Sequence, residues 1–398
     1  ELDPIAPPAF RPTPTMAVDT STRTIVLDLG TRIKLGYADK PSPTLTVPAL
    51  LAAATSRDRH DPDLPLHSGV SALLRAPFPR DYTPLSIFST PPHLALPIAT
   101  PDFLASLLHP LYESHLPAPI RSHKASPLVL ALPDHAAVPR AAKERLAQEL
   151  FEGFRHPSVL IAPRAPCVVA AAGSPEHAVV FHAGHSGAAA TAVFRGYPVA
   201  TVVADASGAA LDRCCAERLA AANPGLEGEA LAWAARAVKE RECYVGFTEE
   251  KSSERTDFML PDGNSSFGLG DERVKVPEAF FNPAAAKTGT VSAQAAVLQA
   301  VKSADRELIR HLLKNVLVSG GATKVRGFDY RLGFELGRGL PKGVEANVSD
   351  ASEGKRKRED VAWYGASLLA KSPNFSKLAV SAEEYEEHGP AVVMRKCF

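Results

Sequence analysis

The side chains that could do chemistry in this chain lie in and beside two turns of small residues. The first turn, Asp28-Leu29-Gly30-Thr31, joins the β-rich runs Thr24–Leu29 and Ile33–Ala38, and Lys34 follows it closely. Two short strands joined by such a turn form a hairpin whose backbone N–H groups can cradle phosphate oxygens. The second turn, His182-Ala183-Gly184-His185-Ser186, has the same strand–turn–strand setting. Such a turn by itself does not distinguish a phosphate site from a plain hairpin.

The two imidazoles of the second turn limit which metal this site could hold. A neutral imidazole can ligate a transition metal, but it is a poor substitute for a carboxylate in holding hydrated Mg²⁺. A zinc site needs further ligands, and the sequence places no obvious third or fourth ligand with His182 and His185. Together with Lys34, the two histidines could instead form a positive pocket that takes phosphate without a metal.

The predicted strands and helices alternate along the chain, which is typical of an α/β fold. The apolar run Leu128–Leu132 predicts a strand between two stretches with helical spacing, Pro101–His115 and Arg140–Phe154. The second strand–turn–strand, His177–Val199, repeats the pattern of the first, and this indicates an internal duplication. Further along, Val291–Lys314 predicts one long helical stretch.

Composition narrows the class of protein. Lys plus Arg and Asp plus Glu balance at 44 each, so we expect no direct nucleic-acid partner. We also expect no membrane span, because no apolar run reaches the ~20 residues that one requires.

The five widely spaced cysteines match no zinc spacing and indicate a reducing compartment. No secretion signal is visible, and the proline-rich segment Glu1–Thr22 is expected to be disordered. The basic run Lys355–Arg358 is typical of a solvated loop or of a nuclear import signal.

Several segments resemble the actin family, and they occur in the same order along the chain. They are Ile25–Ala38, Val238–Val245, Leu260–Pro283, Asn315–Leu336, Ala362–Ala370 and Glu383–Phe398, the last of which ends in VVMRKCF. The resemblance implies the actin/hexokinase-type (ribonuclease H-like) duplicated fold, with a nucleotide cleft between two halves. It divides the chain into an extension at 1–22, a first half at 23–176, a second half at 177–361, and a segment at 362–398 that returns to the first half.

The resemblance also implies roles for individual residues. Asp28 matches the family's metal-organising carboxylate and Lys34 its phosphate lysine, while Lys239 and Glu240 match its ribose- and adenine-contacting helix. Phe334 aligns with the lysine that stacks on adenine in actins, and its aromatic ring could stack on the base in the same way. The residues expected to contact ATP or ADP, with Mg²⁺ held weakly at Asp28, are Asp28, Gly30, Thr31, Lys34, Gly184, His185, Lys239, Glu240, Ser319, Gly320, Gly321 and Phe334.

The chain departs from the actin pattern where hydrolysis needs particular groups. The first turn is one residue shorter than in actin, and Arg32 falls where a glycine is expected. Histidines replace both carboxylates of the second turn. The water-positioning glutamine of actin aligns with Arg164, and the supporting histidine aligns with Ala189. Because arginine is always protonated, it cannot accept a proton from water. These departures predict a chain that does not hydrolyse nucleotide.

Three functions are compatible with this pattern. We expect a non-hydrolysing structural or adaptor subunit of a chromatin-remodelling or dynactin-like complex, in the cytoplasm and cytoskeleton or in the nucleus. Its partners would be other protein subunits, actin and actin-related proteins included, with a helical segment bound in a groove near Ala362–Leu369 and Val392–Phe398. The alternatives are an ATP-binding actin variant that assembles into filaments, and an ATPase that uses altered groups. The proline-broken region 41–97 counts against ordinary polymerisation, although a divergent surface loop would explain it equally well.

Overall fold

The structure, a computed structural model, describes residues 23–48, 126–134, 140–246, 256–259 and 266–397, and short pieces at 50–54, 67–68, 82–86, 108 and 111–112. Several predictions therefore lie outside the described residues. They concern the extension at 1–22, most of the proline-rich region 41–97, most of the helix predicted at 101–115 and the last residue, 398.

The first large sheet is built around the first hairpin. Its strands are β1 (Ile25–Asp28), β2 (Arg32–Tyr37), β3 (Leu45–Pro48), β7 (Leu128–Leu132), β8 (Ser158–Pro163) and β16 (Val380–Ser381), in the order β16-β8-β7-β1-β2-β3. Strands β1, β2 and β3 form an antiparallel meander, whereas β1, β7 and β8 run parallel. Strands β1 and β7 are buried throughout, as expected for the centre of a parallel sheet covered on both faces.

The second large sheet is built around the second hairpin. Its strands are β9 (His177–Ala183), β10 (Ala188–Phe194), β11 (Tyr197–Ala204), β14 (Val316–Ser319) and β15 (Val348–Asp350), in the order β11-β10-β9-β14-β15. Strands β9, β10 and β11 again form an antiparallel meander, and β9, β14 and β15 again run parallel. The order β3-β2-β1-β7-β8 is thus repeated as β11-β10-β9-β14-β15, and the predicted duplication is confirmed.

The remaining elements surround these sheets. The helices are α1 (Arg140–Gln148), α2 (Arg164–Ala171), α3 (Gly208–Ala222), α4 (Gly228–Arg241), α5 (Glu272–Lys275), α6 (Ala293–Lys302), α7 (Ile309–Leu313), α8 (Phe328–Gly339), α9 (Val361–Lys371), α10 (Phe375–Leu378), α11 (Ala382–His388) and α12 (Val393–Lys396). Small sheets are formed by β4 (Leu50–Ala54), β5 (His67–Ser68) and β6 (Tyr82–Ser86), and by β12 (Thr256–Met259) and β13 (Ser266–Leu269). None of the helices in the described segments is long and apolar enough to span a membrane.

The prediction of one long helical stretch at Val291–Lys314 is wrong in one respect. The stretch forms two helices, α6 and α7. The side chain of Ser303 donates to the carbonyl of Gln299 at 2.9 Å, and the carbonyl of Asp305 accepts from Leu308 N–H at 2.9 Å. The serine side chain thus forms a local hydrogen bond to the backbone, of the kind that competes with a regular helix. The apolar spacing on either side of this turn does not reveal the break.

Two helices, α2 and α9, join the two halves. On one side Cys167, Trp363 and Ala366 pack with residues of the first sheet, and on the other side Val168 and Ala362 pack with residues of the second sheet. The helices approach so closely that a Cβ at Gly365 would overlap the carbonyl oxygen of Cys167, so only glycine allows this contact. Trp363 Nε1 also donates to the carbonyl of Val26 at 3.1 Å, which ties α9 to β1.

The carboxyl-terminal segment packs on the first sheet. Strand β16 pairs with β8, and Val392 and Val393 are buried in the same core cluster as β1 and β7. A capping box begins α11, because Ser381 and Glu384 each accept from the other's backbone N–H. The segment is therefore an integral part of this core.

Candidate functional site

A cavity of about 790 Å³ opens where the two hairpin turns face each other. The β1–β2 turn, the β9–β10 turn and the end of β14 all contribute to its wall, because both sheets direct the same ends of their parallel strands toward it. Helix α4 and the segment before α9 complete the lining. The lining includes most of the residues predicted from the sequence: Asp28, Gly30, Thr31, Lys34, Gly184, His185, Lys239, Glu240, Gly320 and Gly321.

A buried charge cluster closes the first-half side of the cavity. Asp28 is 2% exposed and Arg164, the first residue of α2, is 5% exposed. Arg164 Nε donates to Asp28 Oδ1 at 2.7 Å, and Lys34 Nζ lies 3.3 Å from Asp28 Oδ2. Burial alone would raise the pKa of Asp28, but the adjacent charges of Arg164 and Lys34 outweigh burial and hold that pKa below its ordinary value. Both oxygens of this carboxylate are thus occupied by protein cations.

The glycine in the first turn makes room for this arginine. A Cβ at Gly30 would lie 2.6 Å from Arg164 Nη2, and the same nitrogen donates to the carbonyl oxygen of Leu29. The guanidinium therefore crosses the turn that would otherwise present its N–H groups to a phosphate. This contact joins residues far apart in the sequence, and the pattern of the turn alone does not show it.

Lys34 extends the charge cluster toward α9. Its Nζ donates to the backbone carbonyl of Glu359 and lies 3.5 Å from Asp360 Oδ1, while its side chain is 8% exposed. Lysine at this position was predicted to bind phosphate. The structure places it in the cavity wall and has it linking β2 to the turn before α9, so its phosphate role stays a prediction.

The second turn has a cluster of its own. His182 Nδ1 lies 3.3 Å from Ser319 Oγ, and both side chains are buried. His185 Nδ1 lies 3.6 Å from Asp212 Oδ2, and Lys239 Nζ lies 2.6 Å from Asp212 Oδ1. Burial lowers the pKa of His185, and the nearby carboxylate of Asp212 opposes this change. Lys239 is consequently held by α3 as well as facing the cavity.

Two of the residues predicted to contact adenosine, Ser319 and Phe334, are not among the residues that line the cavity. Phe334 is 48% exposed and lies beside Arg338 on α8, and its assignment to the nucleotide site stays a prediction. Ser319 is fully buried beneath the cavity, next to His182. Gly320 is required for packing, since a Cβ there would lie 2.2 Å from the carbonyl oxygen of Ala183.

Three groups near the cavity were not predicted from the sequence. Asp212 supports both His185 and Lys239 from α3. Asp134 accepts from the N–H of Ala165 at the start of α2, and burial raises the pKa of this carboxyl to about 6. Neither residue lies in a recognisable motif. Their positions in the sequence do not indicate that they lie near the two turns, because they belong to other elements that only the fold brings close to the cavity.

The basic run 355–358 is the third of these groups. Arg358 Nη2 lies 2.7 Å from both Asp329 Oδ2 and Asp350 Oδ2, and the Arg356 guanidinium lies 3.4 Å from the centre of the Tyr364 ring. Lys357 lines the cavity. Arg356 and Arg358 are therefore packed against neighbours in the segment before α9, whereas Lys355 and Lys357 are exposed.

The chain matches the model of the actin family over residues 19–227 and 232–398. It belongs to the actin family. It is similar to actin-like protein 9 of Homo sapiens, with 30% identity over 404 residues that cover 98% of this chain and 92% of the human protein. It is also similar to actin-like protein 9 of Bos taurus, with 30% identity over 95% of this chain and 88% of that protein. Actin-like protein 7A of Rattus norvegicus is 26% identical over 95% of this chain and 83% of the rat protein.

Members of the actin family generally bind nucleotide, so the residues here must be tested against a nucleotide and its divalent cation. The cavity volume suits a nucleotide, because small-molecule sites span roughly 300–1,000 Å³. Hydrated Mg²⁺ needs carboxylate or carbonyl oxygens. Asp28 is bound on both oxygens by Arg164 and Lys34. In the described part of the chain, moreover, no cluster of three or more His, Cys, Asp or Glu is placed to hold a metal. These residues fit a nucleotide and do not fit the cation.

Proposed function

We propose that this actin-family chain is a non-hydrolysing structural or adaptor subunit of a larger assembly, and that it binds nucleotide weakly or statically. The observation that carries the proposal is the buried pair of Asp28 and Arg164, whose Nε–Oδ1 distance is 2.7 Å. The carboxylate of Asp28 aligns with the one that organises the metal in actins. Here the Arg164 guanidinium, a protein cation, is bound to it where the metal would be organised.

Nucleotide hydrolysis in this fold needs a metal to neutralise the phosphates and a group to orient the attacking water. Arg164 aligns with the family's water-positioning glutamine, yet its guanidinium points to Asp28 and the carbonyl of Leu29. An arginine side chain has no free lone pair at physiological pH with which to take a proton from water. Ala189, on β10, aligns with the supporting histidine and carries no polar group. Neither residue provides what the reaction requires.

Phosphate release by the purified chain with ATP and Mg²⁺ tests this proposal. We expect the rate to stay at the level of the Asp28→Ala variant and of protein-free buffer. Release that clearly exceeds both, and that Asp28→Ala abolishes, would establish an ATPase that uses altered groups. The Arg195→Ala variant controls for nonspecific effects of substitution and purification, because Arg195 is exposed and does not line the cavity.

For the adaptor role, we place the partner surface on α9 and α12, within the predicted segments Ala362–Leu369 and Val392–Phe398. Tyr364 and Leu369 on α9 are partly exposed, and Met394 on α12 is 40% exposed. We propose that a helical segment of another subunit packs here, since amphipathic helices commonly bind such grooves. Candidate partners are the motor subunit of a chromatin-remodelling complex, a dynactin-like filament, actin and actin-related proteins, in the cytoskeleton, cytoplasm or nucleus.

A point substitution tests this surface better than truncation, because deletion of 392–398 would remove the core residues Val392 and Val393. We expect Met394→Glu to weaken pull-down of remodelling or dynactin-type subunits while nucleotide binding is unchanged. Met259→Glu is the matched control, since Met259 is a 59% exposed methionine on β12. Equal capture by wild type and by both variants would exclude this surface.

Filament assembly is the second candidate function, and its support is the family match across almost the whole chain together with the actin-type tail. Sedimentation in polymerising salt separates the two functions. A protein that pellets above a critical concentration assembles by itself. A protein that stays wholly in the supernatant at the same concentrations supports the adaptor role.

A further inference from the structure

We propose that the cavity takes a polyphosphate anion, such as a nucleoside triphosphate, without a divalent cation. The Arg164 guanidinium occupies the place beside Asp28 at which a hydrated metal would be organised. This inference rests on the static nucleotide binding of the proposed function and names the form of ligand that the site accepts.

The first argument is the state of the Asp28 carboxylate. Its Oδ1 accepts from Arg164 Nε at 2.7 Å, its Oδ2 lies 3.3 Å from Lys34 Nζ, and the residue is 2% exposed. A magnesium ion with its water shell would have to displace one of these cations from a buried site. The displaced charge would then lie beside the metal, and like charges at such distances repel strongly in a low dielectric.

The second argument is the charge of the whole cavity. Nine of its lining side chains are Lys or Arg and four are Asp or Glu. Four of these cations, Arg32, Arg241, Arg326 and Lys357, pair with no carboxylate in the part of the chain that the structure describes. A triphosphate without metal carries more negative charge than its magnesium complex. A cavity with excess positive charge therefore favours the metal-free anion.

The third argument is that histidines line the second turn. His182 and His185 both face the cavity, and His185 lies beside Asp212 at 3.6 Å. Imidazole nitrogens can donate hydrogen bonds to phosphate oxygens but are poor ligands for hydrated Mg²⁺. The β9–β10 turn thus offers donors to an anion and no carboxylate to a metal.

Isothermal titration calorimetry on the full chain, stripped of nucleotide, tests the inference. ATP is titrated once in EDTA and once with excess Mg²⁺ at the same ionic strength, and inorganic tripolyphosphate is titrated in EDTA. We expect the affinity for ATP in EDTA to equal or exceed the affinity with Mg²⁺. Binding of tripolyphosphate would assign recognition to the phosphates, whereas binding of ATP alone would add the nucleoside to the recognised group.

Two variants test which side chains cause the preference for the metal-free anion. Arg241→Gln removes an exposed cavity cation without touching the buried pair, and we expect it to weaken ATP binding in EDTA by roughly fivefold, the size expected for one exposed charge. Arg164→Gln frees the Oδ1 atom of Asp28, while Lys34 stays beside Oδ2, and we expect the ATP affinity of this variant to become higher with Mg²⁺ than in EDTA. Arg195→Gln, outside the cavity, should match wild type.

The outcomes separate the inference from the proposed function. Loss of more than about tenfold in affinity on removal of Mg²⁺, or no binding in either buffer, would overturn the inference and leave the non-hydrolysing role untouched. Phosphate release in the ATPase assay would overturn the proposed function independently. An Arg164→Gln variant that folds and keeps the metal response of wild type would overturn the role given to Arg164.

Discussion

Removal of the Arg164 side chain should destabilise the fold by an amount that its burial determines. Arg164→Ala leaves the Asp28 carboxylate buried with one cation instead of two, and it leaves the carbonyl of Leu29 without a donor. Breaking a buried ion pair by removing one partner costs about 3–5 kcal/mol. Because Lys34 Nζ remains 3.3 Å from Asp28, we expect the lower end, about 3 kcal/mol in the free energy of unfolding.

The assay is urea denaturation at pH 7.5, followed by tryptophan fluorescence and circular dichroism, with the free energy obtained by linear extrapolation. At this pH the Asp28 carboxylate is ionised, because its pKa lies below the ordinary value. The stabilisation from the pair is present above the unfolded-state pKa, and it is lost as pH falls through the lower folded-state pKa. The loss caused by Arg164→Ala should therefore shrink in strongly acidic buffer.

Arg195→Ala is the matched control, because Arg195 Nε also lies 2.7 Å from a carboxylate oxygen, that of Glu176, but both side chains are more than half exposed. We expect no measurable change from it, since exposed pairs contribute little. A double-mutant cycle of Arg164→Ala with Asp28→Asn should give a coupling energy above about 1.5 kcal/mol. Equal effects of the two arginine substitutions, or a coupling near zero, would refute the reasoning.

Three further predictions concern the surroundings of the site. The pKa of Asp134 is raised to about 6, so ionisation of this carboxyl lowers the stability of the fold as pH rises from the ordinary carboxyl pKa to 6. Relative to wild type, the free energy of unfolding of Asp134→Asn should therefore rise by about 1–3 kcal/mol between pH 4 and 7.5, as measured by urea denaturation. Gly320→Ala should lower the free energy of unfolding by at least about 2 kcal/mol, because φ is +96° and the new Cβ would meet β9. Gly321→Ala should be near neutral, because its Cβ would make only an ordinary contact, at 3.8 Å, with the Cβ of Glu359. Arg358→Ala should cost about 2 kcal/mol by the same assay, because it leaves two partly buried carboxylates without their cation, while the exposed Lys355→Ala should leave the midpoint unchanged. Equal effects within either matched pair would contradict the packing described for it.

The sequence predicted the elements whose signals are local. Strand Leu128–Leu132 has the predicted bounds, because a continuous apolar run between polar stretches marks a strand covered on both faces. The two hairpins and their duplication were also predictable, since each hairpin repeats the same order of strand, small-residue turn and strand. These features depend on neighbours in the sequence, which a single chain displays.

The features that could not be predicted depend on contacts between distant residues. The sequence alignment predicted the position of Arg164 but not its partner, which lies 136 residues away. Phe334 was assigned to the site from its alignment, yet the turn of α8 on which it lies presents it to solvent. Asp212 belongs to no motif, and only the packing of α3 against the second turn brings it to His185 and Lys239.

The most direct measurement of the central claim is the fate of nucleotide held by this chain. The purified protein is incubated with Mg²⁺ and ATP labelled on the γ-phosphate, then denatured, and the released nucleotide is separated by anion exchange. The account predicts that the label is recovered as ATP, with free phosphate no higher than in a protein-free control. Recovery of ADP with an equal amount of labelled phosphate would show that the cavity hydrolyses its ligand despite Arg164, and would contradict the account.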